Sequence, residues 1–173
     1  MDVKKMVNSE LIVLGLIYFK PSHGYIIKKN VKHYFGNPHY TLNNNVLYNT
    51  LKKLEGNGYI KGELVTMEKV NKKVYTITAE GEKHLIELVA KPAEPGIDEF
   101  DFKVKAVFFD LIPQESRIAA VKPLYESKLE MLREATEKKD EYGSFMPIIA
   151  KKVLDYGIIE LKNYVDFLEK LME

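Results

Sequence analysis

The segment from Asn43 to Thr78 constrains the fold of this chain more than any other part of it. Its first half predicts a helix ending near Asn57, because leucines recur at intervals of four and three residues at Leu47, Leu51 and Leu54. Gly58 follows, where a left-handed residue commonly ends a helix. Two runs rich in β-branched and aromatic residues, 59–66 and 73–78, then flank a polar turn and predict a β-hairpin.

Helices are predicted on both sides of this segment. Ser9 can cap a first helix over the apolar run that follows it, Ser22 a second, Asn43 the third, and Thr78 a fourth after the hairpin. Three helices, a hairpin and another helix are the order of a winged helix-turn-helix. The predicted fold is therefore mainly α with a small β-hairpin, in which an all-helical domain follows the winged helix.

Two prolines and a glycine in residues 91–96 suggest where the chain divides. We predict a winged helix-turn-helix domain at 1–91, a linker at 92–98 and a helical dimerisation domain at 99–173. Charge divides similarly: up to Pro92 there are 14 Lys against 8 Asp and Glu, and beyond it 12 Lys and Arg against 17 acids. Such asymmetry favours a basic part that faces a polyanion, although surface charge also varies by chance.

The outer face of the predicted third helix carries amides, a tyrosine and lysines but no acid. Lysine binds phosphates, and asparagine can pair with an adenine edge in the major groove. Lysines at the hairpin tip would approach the DNA backbone. An ordinary solvated helix and a soluble turn are the alternatives. The predicted DNA-binding residues are Asn43, Asn44, Asn45, Tyr48, Asn49, Lys52, Lys53, Lys69, Lys72 and Lys73.

Three motifs carry a family resemblance. PSHGY at 21–25, LYNTLKKLEGNGYI at 47–60 and VYTITAEG at 74–81 resemble the PadR family of transcription regulators, whose pattern is HGYE, LYxxLxxLExxGLI and YxLTxxG. FKVKAVFFDLIP at 102–113 and DYGIIEL at 155–161 are similar to its longer branch. The chain departs from the pattern with NNNV at 43–46, with Ile26 in place of Glu, and with Pro123, which implies a kink or a later start of a long helix.

The last helix shows a heptad-like apolar seam. This seam can pack against the chain's own helices or against a second copy, and the resemblance favours a homodimer, since PadR proteins dimerise through this region. Dimerisation would place two recognition helices about 34 Å apart. The predicted dimerisation residues are Leu154, Ile158, Leu161, Val165, Leu168 and Met172.

These features lead us to expect a repressor that binds an inverted-repeat operator of double-stranded DNA and is released by a small-molecule effector of unidentified chemistry. The effector and the sign of regulation rest on the resemblance. The third helix has no arginine, the commonest reader of guanine, but contains Asn44, Asn45 and Asn49, so we expect an A·T-rich operator. The aromatic residues after the linker are expected to be mostly core and interface.

Other function classes receive little support from the sequence. The four histidines lack zinc-binding spacing, and no phosphate-binding loop or nucleophile motif is present, so we expect no enzyme, metal or cofactor. The apolar run Leu11–Phe19 is too short to span a bilayer, and a chain without cysteine suits the cytoplasm. The alternative that remains is a winged helix that binds a protein instead of DNA.

Overall fold

The computed structural model describes residues 8–35, 42–67 and 70–173. These residues form two compact units. The first comprises the described residues up to Val89 together with Lys103–Leu111, and the second comprises Ala90–Phe102 and Ile112–Glu173. The predicted boundary at 92–98 stays a prediction. The return of residues 103–111 to the first unit was not foreseen from the sequence.

The first unit contains the elements of a winged helix. In chain order they are α1 (Ser9–Phe19), β1 (Ser22–His23), α2 (Gly24–Phe35), α3 (Asn44–Gly56), β2 (Ile60–Met67), β3 (Val70–Ile77) and α4 (Ala79–Ala90). In the described part of the chain the strands form one antiparallel sheet in the order β1-β3-β2. The predicted mainly helical fold with a small hairpin is confirmed.

Two of the predicted caps are confirmed by their hydrogen bonds. The side chain of Asn43 accepts the backbone N–H of Val46 at 2.8 Å at the start of α3. Thr78 Oγ1 accepts the N–H of Gly81 at 3.1 Å at the start of α4. Gly58 has the left-handed conformation expected after α3, with φ of 75°. Local sequence signals therefore define both ends of the segment that runs from α3 to the start of α4.

The two other predicted caps are wrong. Asn8 caps α1 by accepting the N–H of Leu11 at 3.2 Å, while the hydroxyl of Ser9 forms a hydrogen bond with Thr50 of α3 at 3.1 Å. Ser22 belongs to β1, which pairs with β3, and its hydroxyl donates to a backbone carbonyl of the preceding turn at 2.9 Å. Local sequence could not reveal the contact of Ser9 with Thr50 or the pairing of Ser22 with β3, because both partners lie far away in the chain.

Close packing explains two glycines of the first unit. A Cβ on Gly15 of α1 would overlap the ring of Phe108, which is buried and stacks on Phe19 with 5.4 Å between ring centroids. A Cβ on Gly81 of α4 would overlap the backbone carbonyl of Tyr59. The glycine of the TxxG motif is therefore needed where α4 passes the end of α3.

The second unit is helical. Its long helices are α6 (Gln114–Tyr142) and α7 (Ile148–Met172), which pack along each other. They are preceded by α5 (Glu99–Ala106), which contributes residues to both units, and by a short 3₁₀ turn (Phe109–Leu111) that belongs to the first. Because α6 begins at Gln114 and continues through Pro123, the alternative of a later start is wrong.

The predicted seam of α7 is largely covered within the chain. Ile158, Val165 and Leu168 are buried, and the other three members are half-buried. Packing against the chain's own residues, the first of the two alternatives, therefore accounts for these three side chains without a second copy. The dimerisation role of Leu154, Ile158, Leu161, Val165, Leu168 and Met172 stays a prediction.

Candidate nucleic-acid interface

The two faces of α3 are separated as the sequence predicts. Leu47, Leu51 and Leu54 are buried beneath the helix, and Thr50 joins them. Tyr48 on the opposite side has 54% of its surface exposed. The residues of the predicted outer face are all exposed, namely Asn43, Asn44, Asn45, Tyr48, Asn49, Lys52 and Lys53.

The four asparagines differ in what their side chains can offer. The carbonyl oxygen of Asn43 is used by its cap hydrogen bond, and that of Asn44 accepts a hydrogen bond from Lys28 Nζ at 2.8 Å. Within the described ranges no side-chain hydrogen bond engages Asn45 or Asn49. A bidentate pair with adenine needs both the oxygen and the NH₂ group of one amide. Of these four, only Asn45 and Asn49 keep both groups free of hydrogen bonds to the described side chains and backbone.

Lys28 is a residue that sequence reasoning missed. It lies on α2, 16 residues before Asn44, and is exposed. With Leu42 and the asparagines at 43–45 it lines an open depression at the start of α3. The available signal was the acid-free helix α2, which also carries Lys29 and Lys32.

Tyr48 is held in place by the start of α2. A Cβ on Gly24 would lie 3.1 Å from the Tyr48 hydroxyl and 3.2–3.3 Å from its ring. Such contacts are tighter than side chains usually make, so the glycine of the SHGY motif allows the ring to lie against the backbone. The motif thus orients a side chain of the candidate interface.

Lys53 is paired with an acid of α1. Its Nζ lies 2.9 Å from Oε2 of Glu10, whose Oε1 lies 2.8 Å from Nε2 of His84 on α4. The His84 ring in turn stacks on Tyr59 with 4.2 Å between centroids. Burial raises the pKa of Glu10, but the hydrogen bonds and charges of Lys53 and His84 outweigh it, so this pKa lies below the ordinary 4.5. The hydrogen bond to Glu10 raises the pKa of Lys53.

The lysines of the hairpin are also unequal. Lys73 Nζ lies 2.7 Å from Oε2 of Glu55, and the hydrogen bond to Glu55 raises the pKa of Lys73. Oε1 of Glu55 accepts the N–H of Gly62 at 3.2 Å. Lys72 is half-buried, and no acid of the described ranges forms an ion pair with it. Lys69 lies outside the described residues.

The described part of the chain shows neither a metal-binding cluster nor a membrane-spanning helix. There, no group of three or more His, Cys, Asp or Glu side chains could hold a metal ion. No helix there combines the length and apolar character needed to cross a membrane.

The fold and the two-faced α3 define the first unit as a winged helix-turn-helix. Residues 13–87 match the model of the "Transcriptional regulator PadR-like family", and the chain belongs to this family of transcriptional regulators. No match was found among curated proteins.

Several solved structures are similar to the chain. A transcriptional regulator from Clostridium thermocellum is 33% identical over 46% of this chain and 76% of that one, with a TM-score of 0.43. A PadR-like transcriptional regulator from Bacillus cereus is 28% identical over 99% and 98% of the two chains, with a TM-score of 0.45. Bacillus subtilis PadR in complex with operator DNA is 21% identical over 98% of both, with a TM-score of 0.46.

Proposed function

We propose that this transcriptional regulator binds double-stranded DNA in a sequence-specific manner, with α3 in the major groove. The observation that carries the proposal is the exposed face of α3, which has no acid and presents Asn45 and Asn49 with amides that no described residue engages. Lys52 at the same face has no ion-pair partner among the described residues and can bind a phosphate. Base edges are thus read by amides while lysine supplies backbone contact.

The hairpin is proposed to lie on the flanking backbone. Lys72 supplies charge there, and Lys69 stays a prediction outside the described residues. We add Lys28 to the candidate interface, since its Nζ and the Asn44 amide lie together at the start of α3. An amide whose oxygen accepts a hydrogen bond from a lysine still has two N–H donors, and these suit a phosphate better than an adenine edge. We therefore assign Asn43 and Asn44 to positioning and Asn45 and Asn49 to base contact.

The operator is proposed to be an A·T-rich inverted repeat bound by a homodimer. The absence of arginine from α3 supports the base preference. The dimer requires a surface, and α7 has one on the side opposite the seam. Six large apolar residues there and in the preceding connection are 54–86% exposed, namely Phe145, Ile148, Ile149, Val153, Tyr156 and Ile159.

A second copy is the occupant we propose for this apolar surface. Exposed apolar side chains that are contiguous along one helix face mark an interaction site, and a self-complementary helix face suits a two-fold dimer. The half-buried members of the seam can extend the contact at its edge. Two copies of α3 are then available for half-sites about 34 Å apart.

The regulatory outcome is proposed from the family. Repression by occupancy of the operator, relieved by a small-molecule effector, is the mode we expect, with the protein acting on DNA in the cytoplasm. The competing function is a winged helix that binds a protein. Such a module would expose an apolar patch at α3, but Tyr48 is the only large apolar side chain of α3 that is exposed.

Selection of binding sites from random duplex DNA, followed by a mobility shift at low salt, tests the proposal. We expect A·T-rich inverted repeats with half-sites separated by about one helical turn. Guanine-dominated half-sites would contradict the base preference, and no association with any duplex at low salt would refute DNA binding itself.

Sedimentation of Val153→Asp and of the exposed control Lys151→Asp tests the dimer. Only the former should yield a monomer.

A further inference from the structure

Two lysines of the candidate interface are neutralised by acids of the same unit in matching ways. Each acid uses one carboxylate oxygen to hold the scaffold and the other to hold the lysine. Glu10 binds His84 with Oε1 and Lys53 with Oε2, at 2.8 and 2.9 Å. Glu55 accepts the N–H of Gly62 with Oε1 and binds Lys73 with Oε2, at 3.2 and 2.7 Å.

The scaffold contact distinguishes these pairs from most surface ion pairs. An exposed pair between two mobile side chains is worth little, because ordering both chains costs entropy. Here the Glu10 side chain is only 19% exposed and that of Glu55 34%, while Lys53 is 63% exposed and Lys73 41%. Both carboxylates are therefore held in place by contacts that do not involve the lysine. A DNA phosphate approaching either lysine would meet a fixed negative charge beside it.

We propose that Glu10 and Glu55 withhold the charges of Lys53 and Lys73 from DNA and thereby weaken sequence-independent binding. This inference rests on the proposed DNA-binding function. Non-specific affinity comes almost entirely from lysine and arginine bound to phosphates, and each such contact contributes about 0.9 to the slope of log K against log salt. A genome offers very many competing non-specific sites, so weaker sequence-independent binding leaves more of the protein for its operator.

The test measures binding of a mixed-sequence 30-base-pair duplex by fluorescence anisotropy across a salt series. Glu10→Gln and Glu55→Gln keep the size of the side chain and one acceptor oxygen but remove its charge. We expect each to steepen the salt slope by about 0.9, which is a roughly threefold larger loss of affinity over a fourfold rise in salt. Circular dichroism checks that each variant is folded.

Glu87→Gln is the matched control. Glu87 is an exposed acid of α4 whose carboxylate lies 3.9 Å from His84, and no lysine of the described residues pairs with it. Its replacement changes the net charge of the protein as much as the other two substitutions do. The salt slope should stay that of the unmodified protein if local pairing, and not net charge, controls binding.

Lys53→Met supplies a test that does not depend on the folding of the acid variants. If Glu10 withholds the charge, Lys53→Met leaves the slope unchanged, and adding it to Glu10→Gln returns the steepened slope to the original value. A loss of about 0.9 from Lys53→Met alone would overturn the inference, because Lys53 would then contact phosphate despite Glu10. Weaker binding by Glu10→Gln would also overturn it.

Failure of this inference can be told apart from failure of the proposed function. If the unmodified protein binds the duplex with a measurable salt slope that Glu10→Gln and Glu55→Gln leave unchanged, only the inference falls. If the unmodified protein binds no duplex at low salt, both fall.

Discussion

The ring of Phe108 occupies the space into which a Cβ on Gly15 would project. Gly15 lies in the middle of α1, where Leu11–Ile17 are all buried, and Phe108 belongs to the segment 103–111 that packs with the first unit. A helix interior normally disfavours glycine. Here the missing side chain allows an aromatic ring to reach the helix backbone, so packing decides the residue in place of helix propensity.

Gly15→Ala should therefore destabilise the protein by about 1–3 kcal/mol, the usual cost of overpacking a core, although alanine is the better helix former. Urea unfolding measures the change. Gly157→Ala is the matched control, since no heavy atom lies within 4 Å of a Cβ at that position of α7. It should be neutral or stabilising by up to about 1 kcal/mol. Equal effects of the two substitutions would contradict the packing role.

Tyr164 of α7 has a buried hydroxyl with no hydrogen-bond partner among the described residues. Burial is the largest cause of the raised pKa of this phenol, and the negative charges of Glu99 and Asp98 raise it further. Leaving a buried polar group unsatisfied is costly, so Tyr164→Phe should raise the free energy of unfolding by about 1 kcal/mol. The control Tyr25→Phe removes an exposed hydroxyl and should change stability by less than about 0.5 kcal/mol. A clear loss of stability in Tyr164→Phe would reveal a partner for the hydroxyl.

Glu10 should make stability depend on pH in the acid range. Its pKa in the folded protein is lowered below 4.5, so the carboxylate stabilises the fold at pH above the unfolded pKa, and this contribution is lost as the pH falls through the folded pKa. Glu10→Gln should thus be less stable than the unmodified protein at about pH 7, whereas at a pH below the folded pKa of Glu10 it should be no less stable. Urea midpoints at both pH values measure this difference. A difference that persists in acid would point to lost packing.

Asn49→Ala tests base reading. If Asn49 pairs with adenine through both atoms of its amide, the substitution should cost about 1–3 kcal/mol of discrimination at one operator position. Competition between the selected operator and its single-base variants measures this. The salt slope should not change, because no charge is removed. Uniform weakening of all sequences would assign Asn49 to backbone contact.

Lys72→Met tests the proposed contact of the hairpin with the DNA backbone, and its expected effects are the reverse of those of Asn49→Ala. It should weaken binding to all sequences alike and reduce the salt slope by about 1. Lys61→Met is a suitable control. Lys61 lies on β2, the strand beside that of Lys72, and already forms an ion pair with Glu63 of the same strand at 2.7 Å. If both substitutions reduce the slope equally, the charge of the hairpin as a whole matters and not the position of Lys72.

Much of the candidate site could be predicted because its signals are local. The two faces of α3 follow from the spacing of three leucines, its start from the Asn43 cap and its end from Gly58, and all of these lie within 16 residues. The hairpin likewise follows from two β-rich runs and the turn between them. Contacts at such short range depend on backbone geometry that neighbouring residues alone impose.

Tertiary structure alone decided the rest, because the partners lie far apart in sequence. Glu10 and Lys53 are 43 residues apart, and nothing in either segment indicates that one neutralises the other. β1 exists only because Ser22 and His23 meet the edge of β3, and a two-residue strand has no sequence signal of its own. The apolar spacing of α7 predicts a buried face but not which surface buries it. That surface is supplied by α6, which packs along α7, and only the folded chain determines this pairing.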